Sequence, residues 1–185
     1  MLASGLMNPA PNLVLVGPMG AGKTSIGKRL AQRLGLAFVD ADQRLEEVTG
    51  AAVPLIFEHE GEAGFRAREA QLIAELMLGS AQLLATGGGA VLSADNRRHL
   101  RERGFVVYLT VGIEQQLERL ARDRSRPLLA DGDRRSKLEA LAEVRAPLYR
   151  DIADLVFDSD GLAVATAVDR LVLQLQSQWQ RAEAA

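Results

Sequence analysis

Short apolar runs rich in β-branched residues recur along this chain at 13–16, 37–39, 83–85, 105–109 and 155–157. Runs of this length, closed by Gly or a polar residue, predict buried strands rather than helices. Between them lie stretches long enough for helices, at 23–34, 64–78, 94–103, 113–121 and 137–152, followed by an amphipathic run at 162–180. Strands alternating with helical crossovers give a parallel sheet covered on both faces. The strands show no polar alternation, which predicts burial on both sides. The expected fold is therefore α/β: a three-layer α/β/α arrangement around a central, mainly parallel sheet of about five strands.

Two stretches fit this scheme poorly. Residues 42–61 form a helical patch broken by Gly50 and Pro54, and residues 122–135 are rich in charge and hold Pro127 and Gly132. Neither has the length or apolar content of a domain, and both are expected to be flaps that carry substrate contacts. The chain then reads as a single domain whose core is 12–41, 83–121 and 137–181. Residues 42–78 form a substrate-binding region, 122–135 a mobile lid, and 1–11, with two prolines, a flexible tail.

Composition narrows the classes. Over 185 residues, 48% are hydrophobic but only 4% aromatic, so Leu, Val, Ile and Ala must build the core. There is no cysteine, which rules out a disulfide-stapled scaffold. A net charge of −2 argues against general nucleic-acid binding. No apolar run approaches the roughly 20 residues that span a bilayer, so no membrane association is expected. Residues 1–11 carry no basic residue and do not read as a targeting signal, which makes the cytoplasm the default compartment. No apolar stripe stands out as an interface, and a monomer is the default state.

Residues Gly17-Pro18-Met19-Gly20-Ala21-Gly22-Lys23-Thr24 match G-x-x-x-x-G-K-[ST] in full, between the first strand and the first helix. A phosphate chain must be met at close range by backbone N–H groups, and glycine lets the chain curl tightly enough to bring them there. Lys23 supplies a charge to the outer phosphates, and Thr24 a hydroxyl for Mg²⁺. The helix beginning at Lys23 points its positive end at the same anion. The pattern implies nucleoside triphosphate binding. No N-K-x-D run for guanine exists. Asp158-Ser159-Asp160-Gly161 follows the last strand, too late for a switch, and the third strand ends in Thr86 without an acidic residue. A small-molecule kinase fits better than a switch or a motor.

Asp40 and Asp42 close the second strand with i, i+2 spacing, so in an extended chain both carboxylates point the same way. One carboxylate suits a metal through water and the other an acceptor hydroxyl, although Asp42 could equally cap the next helix. The triplet Gly87-Gly88-Gly89 after the third strand suits a flat ligand lying on bare backbone, or else a flexible turn. Arg66 and Arg145 could grip a carboxylate with paired hydrogen bonds. Taken singly, they read as solvated surface residues.

Together these residues resemble a shikimate kinase from about residue 12 to about residue 154. The resemblance is carried by the phosphate loop, the Asp40/Asp42 pair, Gly61-Glu62-x-Gly64-Phe65-Arg66-x-x-Glu69, and Gly87-Gly88-Gly89. Arg126-Pro127-Leu128-Leu129 and Arg145-x-Pro147-Leu148-Tyr149 complete it. It implies a P-loop kinase fold and transfer of the γ-phosphate of ATP to the 3-hydroxyl of shikimate, a step towards chorismate and the aromatic amino acids. Carried over by motif, Gly20, Ala21, Gly22, Lys23, Thr24, Ser25, Arg119 and Arg126 bind ATP, with Arg119 near adenine. Asp42 is the candidate base and binds the ring hydroxyls. Arg66 and Arg145 hold the carboxylate, while Gly88 and Gly89 back the ring. Mg²⁺ is held by Thr24 and, through water, by Asp40. Lys23 and Arg126 join Asp42 as the groups expected to act on the transferring phosphate.

The loop 158–161 lacks the basic residue that some family members set against adenine. His59 and His99 fit no family role and read as surface residues, and Trp179 as a packing anchor for the last helix. The nearest rival reading is another small P-loop kinase, such as one acting on gluconate; a further one is a non-catalytic nucleotide-binding regulator.

Overall fold

A computed structural model of the protein describes residues 8–121, 129 and 132–181. The elements in chain order are β1 (Asn8–Ala10), β2 (Asn12–Val16), α1 (Lys23–Leu34), β3 (Ala37–Asp40), α2 (Ala41–Thr49), α3 (Val53–Leu76) and β4 (Gln82–Ala85). A 3-10 turn (Ala90–Leu92) then leads to α4 (Ala94–Arg103), β5 (Gly104–Thr110), α5 (Ile113–Leu120), α6 (Arg134–Ile152), β6 (Leu155–Asp158), α7 (Val164–Gln178) and β7 (Trp179–Arg181). Five strands form one wholly parallel sheet in the order β3-β4-β2-β5-β6. The three-layer α/β/α architecture is as the sequence predicts.

The central strands explain the layers. Leu13, Leu15, Phe105, Val107 and Leu109 point to one side, into a cluster with Leu30 of α1 and Leu171 and Leu175 of α7. Val14, Val16, Val106 and Tyr108 point to the other, against Ile73, Met77, Leu100, Tyr149 and Ile152 from α3, α4 and α6. Alternation by two along a strand thus serves two apolar layers at once, which is why β2 and β5 read as continuous hydrophobic runs. The edges differ from that expectation. In β6, Val156 is 52% exposed, and β3 is nowhere fully buried. Each edge strand has a neighbour on one side only.

Residues 42–61 are more ordered than a broken patch. Pro54 does not break a helix; it lies in the first turn of α3, where a missing N–H costs nothing. Glu46 accepts a hydrogen bond from Val53 N at 2.8 Å, holding that start in place. The break comes at Gly61, whose φ of 69° kinks α3. Leu45, Ile56, Phe65 and Leu72 form a separate apolar cluster beneath α2 and α3.

Two further boundaries move. Helix α6 begins at Arg134, capped by the Asp133 carboxylate accepting from Arg135 N, so it takes in the last residues assigned to the lid. Part of the expected tail is a strand: β1 pairs in parallel with β7. Trp179 anchors that pair, donating from Nε1 to the Ala10 carbonyl at 3.0 Å and packing near Phe105.

Candidate active site

The phosphate loop joins β2 to α1 at the carboxyl edge of the sheet, where ligands bind in open α/β folds. Gly22, at φ 92°, occupies the residue just before α1 and offers no side-chain cap, so the first N–H groups of the helix are left for an anion. Lys23 Nζ donates to the carbonyls of Gly17 at 2.7 Å and Pro18 at 2.9 Å, folded back along its own loop. The loop is tied from outside as well. The buried Gln116 amide donates to the Met19 carbonyl at 2.8 Å, Arg119 donates to the Gly20 carbonyl at 2.7 Å, and the buried Ser159 hydroxyl donates to the Ala21 carbonyl at 3.0 Å. Arg119 also reaches Gln115 Oε1 at 2.8 Å, and that oxygen accepts from Gly161 N at 2.7 Å. The loop after β6 and the phosphate loop are therefore wired together.

Thr24 Oγ1 donates to Asp40 Oδ2 at 2.6 Å. The other oxygen of Asp40 accepts from Asp42 N at 3.1 Å and Gln43 N at 3.2 Å. Asp40, not Asp42, therefore caps α2. Asp42 lies in the first helical turn rather than on an extended strand tip, so its direction is set by α2 and not by strand alternation.

A cavity of about 420 Å³ opens over the loop, lined among others by Gly20, Lys23, Thr24, Ser25, Asp40 and Arg119. Asp42, Gly87 and Gly88 line it too, and the same three line a smaller adjoining cavity of about 60 Å³ with Arg66, Gly89 and Arg145. The two arginines and Asp42 thus share one recess that abuts the anion cradle. Ala21 is buried and lines neither cavity. Arg126 lies outside the described residues.

The recess is held by charge and by the absence of side chains. Arg66 Nη1 donates to Glu69 Oε2 at 2.7 Å. Glu69 is only 2% exposed, and its other oxygen has no hydrogen-bond partner. Burial pushes its carboxyl pKa up; the Arg66 charge pulls it down, and the charge of Asp42 adds to the rise. A Cβ on Gly87 would lie 2.9 Å from both Asp42 Oδ1 and Glu69 Oε1, so the bare backbone there is what lets the two acids approach. A Cβ on Gly89 would overlap the Arg66 guanidinium. Arg145 is 5% exposed, unlike a solvated surface arginine.

The shikimate kinase family model matches residues 19–176. A shikimate kinase of Stenotrophomonas maltophilia is 57% identical over 95% of this chain and 97% of its own length. The chain belongs to the shikimate kinase family. Its activity is that family's: ATP-dependent phosphorylation of a shikimate hydroxyl. Among solved structures, a shikimate kinase from Acinetobacter baumannii in complex with shikimate superposes with a TM-score of 0.88 at 46% identity, covering 91% of this chain and 94% of that one. A shikimate kinase from Bacteroides thetaiotaomicron gives 0.80 at 33% identity, covering 89% and 98%.

Sequence reasoning gave no separate role to Glu69, Gln115, Gln116 and Ser159, which hold the site's arginines and loops. Glu69 belongs to the motif that begins at Gly61, and Ser159 belongs to the loop 158–161, whereas Gln115 and Gln116 carry no local signal. His59 is exposed and His99 partly so. Among the described residues no helix is long and apolar enough to cross a membrane, and no group of three or more His, Cys, Asp or Glu side chains could hold a metal by itself.

Proposed function

We propose that the two adjoining recesses bind ATP and shikimate and that Asp42 works at their junction. The shikimate 3-hydroxyl oxygen attacks the γ-phosphorus, and the bond from that phosphorus to the β,γ-bridging oxygen breaks. ADP leaves with that oxygen, and the hydroxyl proton passes to the Asp42 carboxylate. In a loose transition state this proton leaves late, so orientation is the main service Asp42 performs. The observation that carries the reading is that Asp42 lines both cavities, with Lys23 on one side and Arg66 and Arg145 on the other.

Arg66 and Arg145 take the shikimate carboxylate, with Gly88 and Gly89 against the ring. Gly20, Gly22, Lys23, Thr24 and Ser25 take the phosphates, Arg119 lies towards adenine, and Ala21 and Arg126 are assigned to the phosphates by motif alone. The hydroxyl of Thr24 beside the carboxylate of Asp40 is an all-oxygen donor pair suited to Mg²⁺. With no acidic cage among the described residues, the ion would come with the nucleotide, Thr24 holding it directly and Asp40 through water. Bound there it would neutralise phosphate charge. Cytoplasmic residence, a monomeric state and the absence of nucleic-acid partners complete the proposal.

The test is ADP release with shikimate or gluconate as acceptor, in the wild type and in Asp42→Asn. Turnover with shikimate alone, lost in Asp42→Asn while nucleotide still binds, is expected. Wild-type turnover in Asp42→Asn would remove that residue from the chemistry.

A further inference from the structure

Arg145 and Tyr149 stand one turn apart on α6, where positions i and i+4 share a face. Tyr149 is buried at 1% exposure, its ring 5.0 Å from that of Tyr108 between centroids. Burial pushes its phenol pKa well above the ordinary value, so the hydroxyl keeps its proton and serves as a donor. It donates to the carbonyl of Gly88. The Arg145 guanidinium reaches the same point: a Cβ on Gly88 would lie 3.4 Å from Arg145 Nη1 and 3.6 Å from Tyr149 Oη. Backbone bonds close the segment on itself, Ala90 N donating to the Gly87 carbonyl and Leu92 N to the Gly89 carbonyl, both at 3.1 Å, while Thr86 Oγ1 and Asn96 Nδ2 tie its ends to the Leu15 and Ala90 carbonyls. The Gly88 carbonyl between those two is the one that Tyr149 takes.

We propose that Tyr149 is a positioning residue for the acceptor: its hydroxyl ties Gly88 to α6 and so sets the gap between that backbone and the Arg145 guanidinium that the shikimate carboxylate and ring must span. The inference rests on the assignment of Arg145 and Gly88 to shikimate given above. Phenylalanine would fill the same volume against Tyr108, so packing alone gives no reason for a hydroxyl here. Removing it leaves a carbonyl unpaired beside the recess and frees the loop from the helix that carries the arginine.

The experiment compares steady-state constants for Tyr149→Phe, Tyr108→Phe and Arg145→Ala. Tyr149→Phe is expected to raise the shikimate KM about tenfold, the loss of one hydrogen bond with a partner left unpaired, with the ATP KM unchanged. Tyr108→Phe, which alters the same cluster without touching Gly88, is expected to leave both constants near wild type. A parallel rise in both KM values for Tyr149→Phe would mean a general structural defect and overturn the proposal. A raised shikimate KM in Arg145→Ala with a wild-type value in Tyr149→Phe would overturn it while sparing the site assignment. An unchanged shikimate KM in Arg145→Ala would instead overturn the assignment beneath it.

A second readout keeps every residue at the site. The chain has two tyrosines, so Tyr108→Phe protein grown with 3-fluorotyrosine carries one fluorine label, on Tyr149. Saturating shikimate is expected to shift its ¹⁹F resonance, and no shift would count against the proposal.

Discussion

Replacing Gly89 with alanine tests whether Arg66 is held where an acceptor carboxylate needs it. Gly89 has φ −94° and ψ 0°, which an alanine can adopt, so the backbone need not move. The new Cβ would lie 2.5 Å from Arg66 Cζ and 2.6 Å from Nη1. To reach an ordinary carbon contact of about 3.5 Å the guanidinium must retreat by about 1 Å. That distance is enough to spoil a paired hydrogen bond to a carboxylate. Loss of a charge-assisted hydrogen bond is worth about 1.5–3 kcal/mol, or about a tenfold to hundredfold rise in shikimate KM. The ATP KM should hold, because Gly89 lines only the smaller cavity. Initial-rate measurements with each substrate varied in turn decide it. A wild-type shikimate KM in a folded Gly89→Ala protein would refute the placement of Arg66.

Asp40→Asn keeps an oxygen for the α2 cap but loses the charge. It should raise the Mg²⁺ concentration for half-maximal rate, with melting temperature unchanged; Asp40→Ala should raise that requirement and also lower the melting temperature, losing about 1 kcal/mol with the cap. An unaltered Mg²⁺ requirement would take Asp40 out of the metal's surroundings. Glu69 has a folded-state pKa raised by burial, so its proton favours the native state: its contribution is fully present below about pH 4.5 and is lost as pH rises through the folded value. The stability of Glu69→Gln relative to wild type should therefore improve as pH rises across that window, read as the difference in melting temperature; a pH-independent difference would contradict it. Trp179→Phe removes the hydrogen bond to the Ala10 carbonyl and should lower stability by about 1 kcal/mol, roughly 2–4 °C in melting temperature, without touching either KM.

What was legible in the sequence is what local pattern decides. The runs at 13–16 and 105–109 announced the two central strands because both faces of each are buried, and the G-x-x-x-x-G-K-T match announced the loop between β2 and α1. The gaps came where distance along the chain hides the partner. Asn8–Ala10 has no strand pattern of its own and becomes one only through Trp179–Arg181 at the far end of the described chain. Pro54 looked like a breaker because only Glu46, across a turn, marks it as a helix start. Ser159 reads as a loop polar residue until the fold sets it under Ala21, 138 positions away. The order Asp40-Ala41-Asp42 has the look of a strand tip; it is a strand ending and a helix beginning within three residues, which gives the cap to Asp40 and not to Asp42.

The lysine of the phosphate loop grasps the two carbonyls that begin that loop. Its ammonium group thereby folds the first residues of the loop back onto the start of α1. A triphosphate in that cradle would compete with the same two carbonyls for the ammonium group, so one cation would govern both the bend of the backbone and the grip on the anion.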